Sequence, residues 1–145
     1  MQEKIYDEFV EKSVELTKQI KVGDQFSDDT TQGPLISEEQ RTKVLNYIKS
    51  GVSQGANLLI GGNKYGDKGF HVEPTVFADV QDDMEIAKDE IFGPVMSILK
   101  FSDIEEAIQR ANNTDYGLTA AVFTEDISKA IQVSNALQAG QIYVN

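Results

Sequence analysis

The chain of 145 residues contains no cysteine and no tryptophan. Without a thiol it cannot form a disulfide, a Cys-ligated zinc site or an iron–sulfur cluster, and it cannot supply a thiolate nucleophile. His71 is its single histidine, so a metal site built on a pair of histidines is excluded as well. A Ser–His–Asp triad would have to use His71, and we expect neither a triad nor a nucleophile elbow. We therefore interpret His71 as an ordinary strand or loop residue, and we expect no catalytic or metal-binding residue in this segment.

Positive charge is also scarce. Thirteen Lys and Arg residues stand against twenty-four Asp and Glu residues, which gives a net charge of −11 and a pI near 4.4. Such a surface repels phosphates and anionic lipid, so we expect no nucleic-acid partner and no membrane partner. No apolar run approaches the ~20 residues that span a bilayer, and no signal peptide is recognisable at Met1. The composition is typical of a soluble globular domain, and it leaves a cytoplasmic or a mitochondrial location open.

Helical and extended patterns alternate along the chain. Apolar residues three and four positions apart predict four helices, and short apolar runs predict five strands. The helices are expected over 5–20, 38–52, 104–111 and 127–137, and the strands over 58–60, 74–80, 95–101, 118–123 and 141–145. Strand–helix–strand order in the last third implies parallel strands with right-handed crossovers. The prediction is an α/β fold of three αβα layers around a mostly parallel sheet.

Local signals mark the helix ends. Ser37 with Gln40, and Ser102 with Glu105, have the spacing of capping boxes, in which the two side chains satisfy each other's backbone amides. Gly55 is well placed as a C-terminal glycine. The chain enters a helix directly after Met1 and stops at Asn145 within a strand, whereas natural domains usually end in exposed polar tails. We therefore expect residues 1–145 to be part of a longer protein.

Two groups of residues resemble ligand-binding motifs but lack the spacing or context that such motifs require. The glycine-rich run 61–66 follows a strand, but no helix opens after it, so it is interpreted as a turn and not as a nucleotide loop. Acidic pairs such as Asp28-Asp29 lack calcium-loop spacing and are interpreted as solvated surface.

Glu90 stands apart, because it precedes a predicted strand in the run Glu90-Ile91-Phe92-Gly93-Pro94-Val95. An ionised carboxylate only accepts hydrogen bonds, so it can accept one from each hydroxyl of a ribose. Phe92 offers an apolar wall for a flat ring. A surface glutamate and a core phenylalanine would give the same pattern.

The same run resembles the Glu-Ile-Phe-Gly-Pro signature of the NAD(P)-dependent aldehyde dehydrogenases. The resemblance continues in order and spacing over essentially the whole chain. It rests on the motifs Gln32-Gly33-Pro34, Gly61-Gly62, Glu73-Pro74-Thr75-Val76, Ala111-Asn112-Asn113, Tyr116-Gly117-Leu118, Leu137-Gln138-Ala139-Gly140 and Val144-Asn145. Within the family, the chain most resembles the subgroup that acts on medium-sized and retinoid-like aldehydes.

The resemblance implies that residues 1–145 are the C-terminal part of the catalytic domain. In the family the nucleophilic cysteine lies just before the segment that resembles Gln2 to Val10, and the general base and the cofactor domain lie further upstream. An aromatic substrate-channel loop and an oligomerisation strand follow the Val-Asn pair. The parent would oxidise aldehydes to carboxylic acids with NAD or NADP, as a dimer or tetramer, and the segment alone would be inactive.

The resemblance also implies a set of cofactor-binding residues. Glu90 resembles the residue that holds the nicotinamide ribose hydroxyls, with Phe92 packed beside the nicotinamide. Gln40 and Lys43 resemble helix residues that contact the same ribose. Capping alone would explain Gln40, and a solvated helix face would explain Lys43.

Two other hypotheses remain open. The chain could be a non-catalytic structural or binding module that keeps the fold without the cofactor-binding half. It could also be an unrelated α/β binding domain, because one fold serves many functions.

Overall fold

The computed structural model describes all 145 residues, which form two compact units. The first unit comprises Met1 and Glu3–Lys100, and the second comprises Gln2 and Phe101–Asn145. The elements of the first unit are α1 (Glu3–Thr17), α2 (Glu38–Ser53), β1 (Asn57–Ile60), β2 (Thr75–Ala78), α3 (Glu85–Lys88) and β3 (Val95–Ser97). Those of the second unit are α4 (Ile104–Asn112), β4 (Thr119–Val122), α5 (Ile127–Ala136) and β5 (Gln141–Val144). No helix has the length and apolar character required to cross a membrane.

The first unit has three layers. Its sheet has the order β1-β2-β3, in which β2 is antiparallel to β1 and parallel to β3. Successive side chains of a strand point to opposite faces, and β2 therefore serves two cores. Val76 packs with Tyr6 of α1, whereas Phe77 packs with Val44 and Ile48 of α2. The predicted αβα layering is confirmed in this unit.

Tyr6 ties α1 to the far end of the sheet. Its hydroxyl accepts a hydrogen bond from the backbone N–H of Asp79 at 2.6 Å and donates to the carbonyl of Ile98 at 3.3 Å. Burial is the main cause that raises the pKa of Tyr6 above its ordinary value. The phenol therefore keeps its single proton, for which the Ile98 carbonyl and Oδ1 of Asp79, 3.4 Å away, are both acceptors.

The second unit is a parallel two-stranded sheet with two helices. Thr119 of β4 is opposite Gln141 of β5, and α5 forms the crossover between the two strands. Asp126 caps α5 by accepting from the N–H groups of Ser128 and Lys129. The parallel pair joined by a helix confirms the predicted α/β class.

The structure corrects several of the sequence predictions. Helix α1 ends at Thr17 instead of continuing to residue 20, and the single-turn helix α3 was not predicted. Strand β3 ends at Ser97 instead of reaching residue 101, and it pairs with β2 instead of with the strands of the last third. Two of the three strand pairs are parallel, so the prediction of a mostly parallel arrangement holds.

The N-cap of α4 is Asp103, one residue later than the predicted Ser102–Glu105 capping box. Asp103 caps α4 by accepting from the N–H of Glu106 at 2.9 Å. The Glu106 carboxylate accepts from both the N–H and the hydroxyl of Ser102, at 2.8 and 2.6 Å. The return hydrogen bond of Glu106 thus goes to Ser102 and not to the N–H of the N-cap Asp103, so neither pair forms a reciprocal box.

Candidate functional site

The Glu-Ile-Phe-Gly signature lies in a loop between α3 and β3, which we call the 89–93 loop. The loop runs alongside α2, and Ile91 is buried in the core cluster that contains Val44 and Ile48 of that helix. A burial anchor of this kind fixes the middle of the loop and leaves its other side chains at the surface. Glu90 and Phe92, the neighbours of Ile91, are both exposed.

Gln40 binds the backbone of the loop directly. Its side-chain nitrogen donates to the carbonyl oxygen of Ile91 at 3.2 Å and to that of Phe92 at 2.9 Å. Ser37 caps α2 by accepting from the N–H of Gln40 at 3.1 Å, as predicted. The Gln40 side chain does not complete the predicted box, because its amide group reaches the loop instead of returning to Ser37.

Phe92 has an unusual backbone conformation. Its φ of +57° lies in the left-handed region, which is unfavourable for a bulky side chain because the Cβ atom crowds the backbone. The ring is 71% exposed, so burial of the ring does not compensate for the strain. Strain held at an exposed aromatic residue is a signal of a functional site.

Gly93 allows the loop to approach α2 closely. A Cβ atom at this position would lie 2.5 Å from Cγ2 of Val44, a side chain with no solvent exposure. Only glycine fits this contact without a shift of the loop or of the helix. The packing of the loop against α2 therefore requires glycine at position 93, whatever the function of Glu90.

Glu90 presents an exposed carboxylate beside the anchored Ile91. No side chain of the chain pairs with it by a hydrogen bond or an ion pair. Its two oxygen atoms can therefore accept hydrogen bonds from a bound molecule.

Lys43 lies one helical turn after Gln40 and is exposed. Its ammonium nitrogen is 5.7 Å from the centre of the Tyr47 ring, within the range of a cation–π contact. The Tyr47 hydroxyl donates to a carboxylate oxygen of Asp89 at 3.1 Å. Helix α2 therefore contacts the loop on both sides of Glu90, at Asp89 and at Phe92.

Sequence reasoning selected Gln40, Lys43, Glu90 and Phe92, and the structure joins Gln40 to Phe92 by a direct hydrogen bond. It overlooked Tyr47 and Asp89. The available signal was the spacing of Gln40, Lys43 and Tyr47, because residues three and four apart lie on one helix face.

Ser53 and His71 are the two residues that bear on the expectation of no catalytic triad and no nucleophile elbow. The Gly-x-Ser-x-Gly spacing of a nucleophile elbow does occur in the chain, at Gly51-Val52-Ser53-Gln54-Gly55. Ser53 ends a helix instead of occupying a strand-to-helix turn, and its hydroxyl donates to the carbonyl of Ser50 at 2.8 Å. The geometry is therefore not that of an elbow. His71 lies in a loop, where Nε2 contacts the carbonyl oxygen of Gly23 at 2.9 Å.

Comparison with known proteins identifies the family. The family model described as "Aldehyde dehydrogenase family" matches residues 1–145. The mitochondrial aldehyde dehydrogenase of Equus caballus is 57% identical over 145 residues, which are 100% of this chain and 29% of that protein. Retinal dehydrogenase 2 of Mus musculus is 56% identical over 145 residues, 100% of this chain and 28% of that protein.

A solved structure agrees with this match. The NAD+ complex of the aldehyde dehydrogenase from Bacillus cereus superposes with a TM-score of 0.96 and 45% sequence identity, over 99% of this chain and 29% of that one. The chain thus spans less than a third of the length of these relatives. Residues 1–145 belong to the aldehyde dehydrogenase family, as a fragment of a larger catalytic domain.

Proposed function

We propose that a full-length protein carrying these 145 residues oxidises aldehydes to carboxylic acids with NAD or NADP, and that this segment forms the nicotinamide-ribose wall of the site. The observation that carries the proposal is the exposed, unpaired carboxylate of Glu90 on a loop held by Gln40 and Ile91. Below, "the full-length enzyme" means the natural parent, or the Equus caballus relative with its matching segment replaced by this chain.

Glu90 is the proposed anchor of the ribose. The two hydroxyls of a ribose diol donate hydrogen bonds, and a carboxylate offers two acceptor atoms at matching spacing. Because Glu90 has no partner within the chain, binding the diol does not require an internal hydrogen bond to break. Charge-assisted hydrogen bonds of this kind are stronger than those between neutral groups.

Phe92, Lys43 and Gln40 complete the proposed wall. The exposed Phe92 ring supplies a flat apolar surface for the nicotinamide. Lys43 offers an ammonium donor from the neighbouring helix face. The Gln40 nitrogen is engaged by the loop carbonyls, so its side-chain oxygen is the atom left to accept from a ribose hydroxyl.

The contribution of this segment to the reaction is orientation. When bound, the nicotinamide accepts a hydride from the substrate. Glu90 and Phe92 fix the position of its ring, and a misplacement of about 1 Å can lower the rate on the order of a hundredfold. The segment contains no cysteine, and we propose that the nucleophile lies outside it, so that the segment alone is inactive.

We further place the segment in the C-terminal part of the catalytic domain. Support comes from the resemblance, in which the nucleophilic cysteine and the cofactor domain precede the segment that resembles Gln2 to Val10, and from the lack of a cysteine in residues 1–145. The retinal dehydrogenase relative favours medium-sized or retinoid-like aldehydes as substrates, and the NAD+ complex of the Bacillus cereus enzyme favours NAD. The full-length enzyme is proposed to be a dimer or tetramer.

The substitution Glu90→Gln in the full-length enzyme tests this role. It keeps the size of the side chain but removes the charge, so we expect the single-turnover rate of NADH formation to fall roughly ten- to a hundredfold. Glu11→Gln is the matched control, because Glu11 is an exposed residue in the middle of α1. An unchanged rate for Glu90→Gln would remove this residue from the site. Absence of aldehyde oxidation in the natural full-length protein would favour a non-catalytic module.

A titration of the isolated chain with NAD is a second test. We expect no measurable heat of binding, because one ribose wall leaves the phosphates and the adenine without contacts. Micromolar binding would show that the chain holds more of the cofactor than this wall, and would contradict the proposed division of the site.

A further inference from the structure

We infer that Tyr47 and Asp89 form a clasp that positions the Glu90 carboxylate for the cofactor, and that both are positioning residues of the proposed enzyme. The inference rests on the proposed function, because it concerns the same ribose wall. The clasp is the hydrogen bond from the Tyr47 hydroxyl to Oδ2 of Asp89, at 3.1 Å.

The location of the clasp gives it this role. Asp89 immediately precedes Glu90, whereas the carbonyls bound by Gln40 belong to the two residues that follow it. Helix α2 therefore holds the side chain of the residue before Glu90 and the backbone of the two residues after it. If the contact between Tyr47 and Asp89 were absent, the loop could rotate about the contacts made by Gln40, and the Glu90 carboxylate would sample several positions.

Tyr47 also contacts the second polar residue of the wall. The face of its ring lies 5.7 Å from the ammonium nitrogen of Lys43, while its hydroxyl holds Asp89. One side chain thus contacts both Lys43 on the helix and Asp89, the residue before Glu90, on the loop. Removal of the hydroxyl alone leaves the Lys43 contact in place, which separates the two effects.

The exposure of the clasp allows a positioning role of Tyr47 and Asp89 to be distinguished from a role in stabilising the fold. Asp89 is exposed and the hydrogen bond is accessible to solvent, and such bonds contribute little to the free energy of unfolding because water competes for both partners. A residue that served stability alone would change the melting temperature and leave the affinity for cofactor unchanged. A positioning residue does the opposite.

Three substitutions in the full-length enzyme test the clasp. Tyr47→Phe and Asp89→Ala each remove one partner, and Asp89→Asn keeps a side-chain oxygen that can still accept from Tyr47. Tyr65→Phe is the control, because it removes an exposed tyrosine hydroxyl outside α2 and the 89–93 loop. The measurements are the dissociation constant for NAD by calorimetry, hydrogen exchange of the peptide that covers the loop, and the melting temperature.

Tyr47→Phe and Asp89→Ala are each expected to weaken NAD binding about threefold to tenfold, the effect of one hydrogen bond of average strength. Both should speed exchange in the loop and leave the melting temperature nearly unchanged. The double variant should lose no more than either single variant, because both remove the same bond. Asp89→Asn should retain most of the affinity, and Tyr65→Phe all of it.

Each other outcome overturns the clasp. Unchanged NAD affinity in Tyr47→Phe, or additive losses in the double variant, would show that the bond does not position Glu90. If Glu90→Gln lowers the affinity and Tyr47→Phe does not, the clasp fails and the proposed function stands. If Glu90→Gln changes neither affinity nor rate, the proposed function fails, and the clasp fails with it.

Discussion

The side-chain nitrogen of Gln40 lies 2.9 Å from the carbonyl oxygen of Phe92, so a helix residue holds a loop residue whose φ is +57°. Phe92 is also 71% exposed. Both the strain and the exposure lower stability, and neither is offset by packing of the ring. Such an arrangement is expected where binding of a ligand, and not the folded state itself, uses the side chain.

Substitution of Phe92 by glycine and by alanine separates strain from ring loss. Both variants lack the ring, but only glycine adopts a positive φ without a steric penalty. We expect the free energy of unfolding to be about 1 kcal/mol higher for Phe92→Gly than for Phe92→Ala. Urea denaturation of the 145-residue chain measures this difference. In the full-length enzyme both should weaken NAD binding. A more stable alanine variant would show that the backbone at Phe92 is not strained.

A second matched pair tests the turn that joins β1 to the following loop. Gly61 and Gly66 both have positive φ, but a Cβ atom on Gly61 would lie 2.2 Å from the carbonyl oxygen of Pro74, whereas one on Gly66 would meet no atom within 4 Å. We expect Gly66→Ala to cost about 1 kcal/mol of unfolding free energy, from its conformation alone. Gly61→Ala adds a clash with backbone and should cost at least ~2 kcal/mol. Equal losses in urea denaturation would contradict this difference.

Four of the five helices could be predicted from sequence because their signals are local. Ser37 caps α2 as predicted, and Gly55, with φ of +94°, follows the end of the helix. At α4 two overlapping pairs have capping spacing, and sequence alone does not choose between them. In the structure Asp103 is the N-cap, and the Glu106 carboxylate accepts from Ser102 and from Arg110, one turn later, at 2.7 Å.

Contacts between distant residues could not be predicted in the same way. The bond between Tyr47 and Asp89 spans 42 positions, and no periodicity reports which loop a helix side chain will meet. The predicted pairing of β3 with the strands of the last third was wrong for the same reason. The order of strands in a sheet depends on the packing of both of its faces. Glu90 and Phe92 could be proposed as site residues from sequence because they belong to one short motif.

Glu106 makes the stability of α4 depend on pH. Hydrogen bonds from the hydroxyl and the N–H of Ser102, followed by one from Arg110, lower the pKa of Glu106 from 4.5 to about 2. A depressed pKa in the folded state stabilises the fold above the unfolded pKa, and this contribution is lost as the pH falls through the folded value. Wild type should therefore lose helical circular dichroism relative to Glu106→Gln between pH 4.5 and about 2.

The control for this titration is Glu105→Gln, on the same turn. Glu105 is exposed, and its carboxylate accepts only from the side chain of Gln132, at 3.2 Å. That variant should follow the wild-type acid transition. Parallel curves for wild type and Glu106→Gln would mean that the Ser102 and Arg110 contacts do not stabilise the helix.

The second unit should make the isolated chain self-associate. Leu118, Phe123 and Ile127 are 83%, 80% and 70% exposed, and large exposed apolar side chains favour association. The net charge of −11 opposes it, so added salt should promote association by screening this repulsion. Light scattering should show a mass above 16.0 kDa that rises with concentration and with salt.

Replacement of the three side chains by serine should lower the mass towards that of a monomer. Phe26→Ser, at an equally exposed position of the first unit, should not, and an equal effect of Phe26→Ser would assign the association to a different surface.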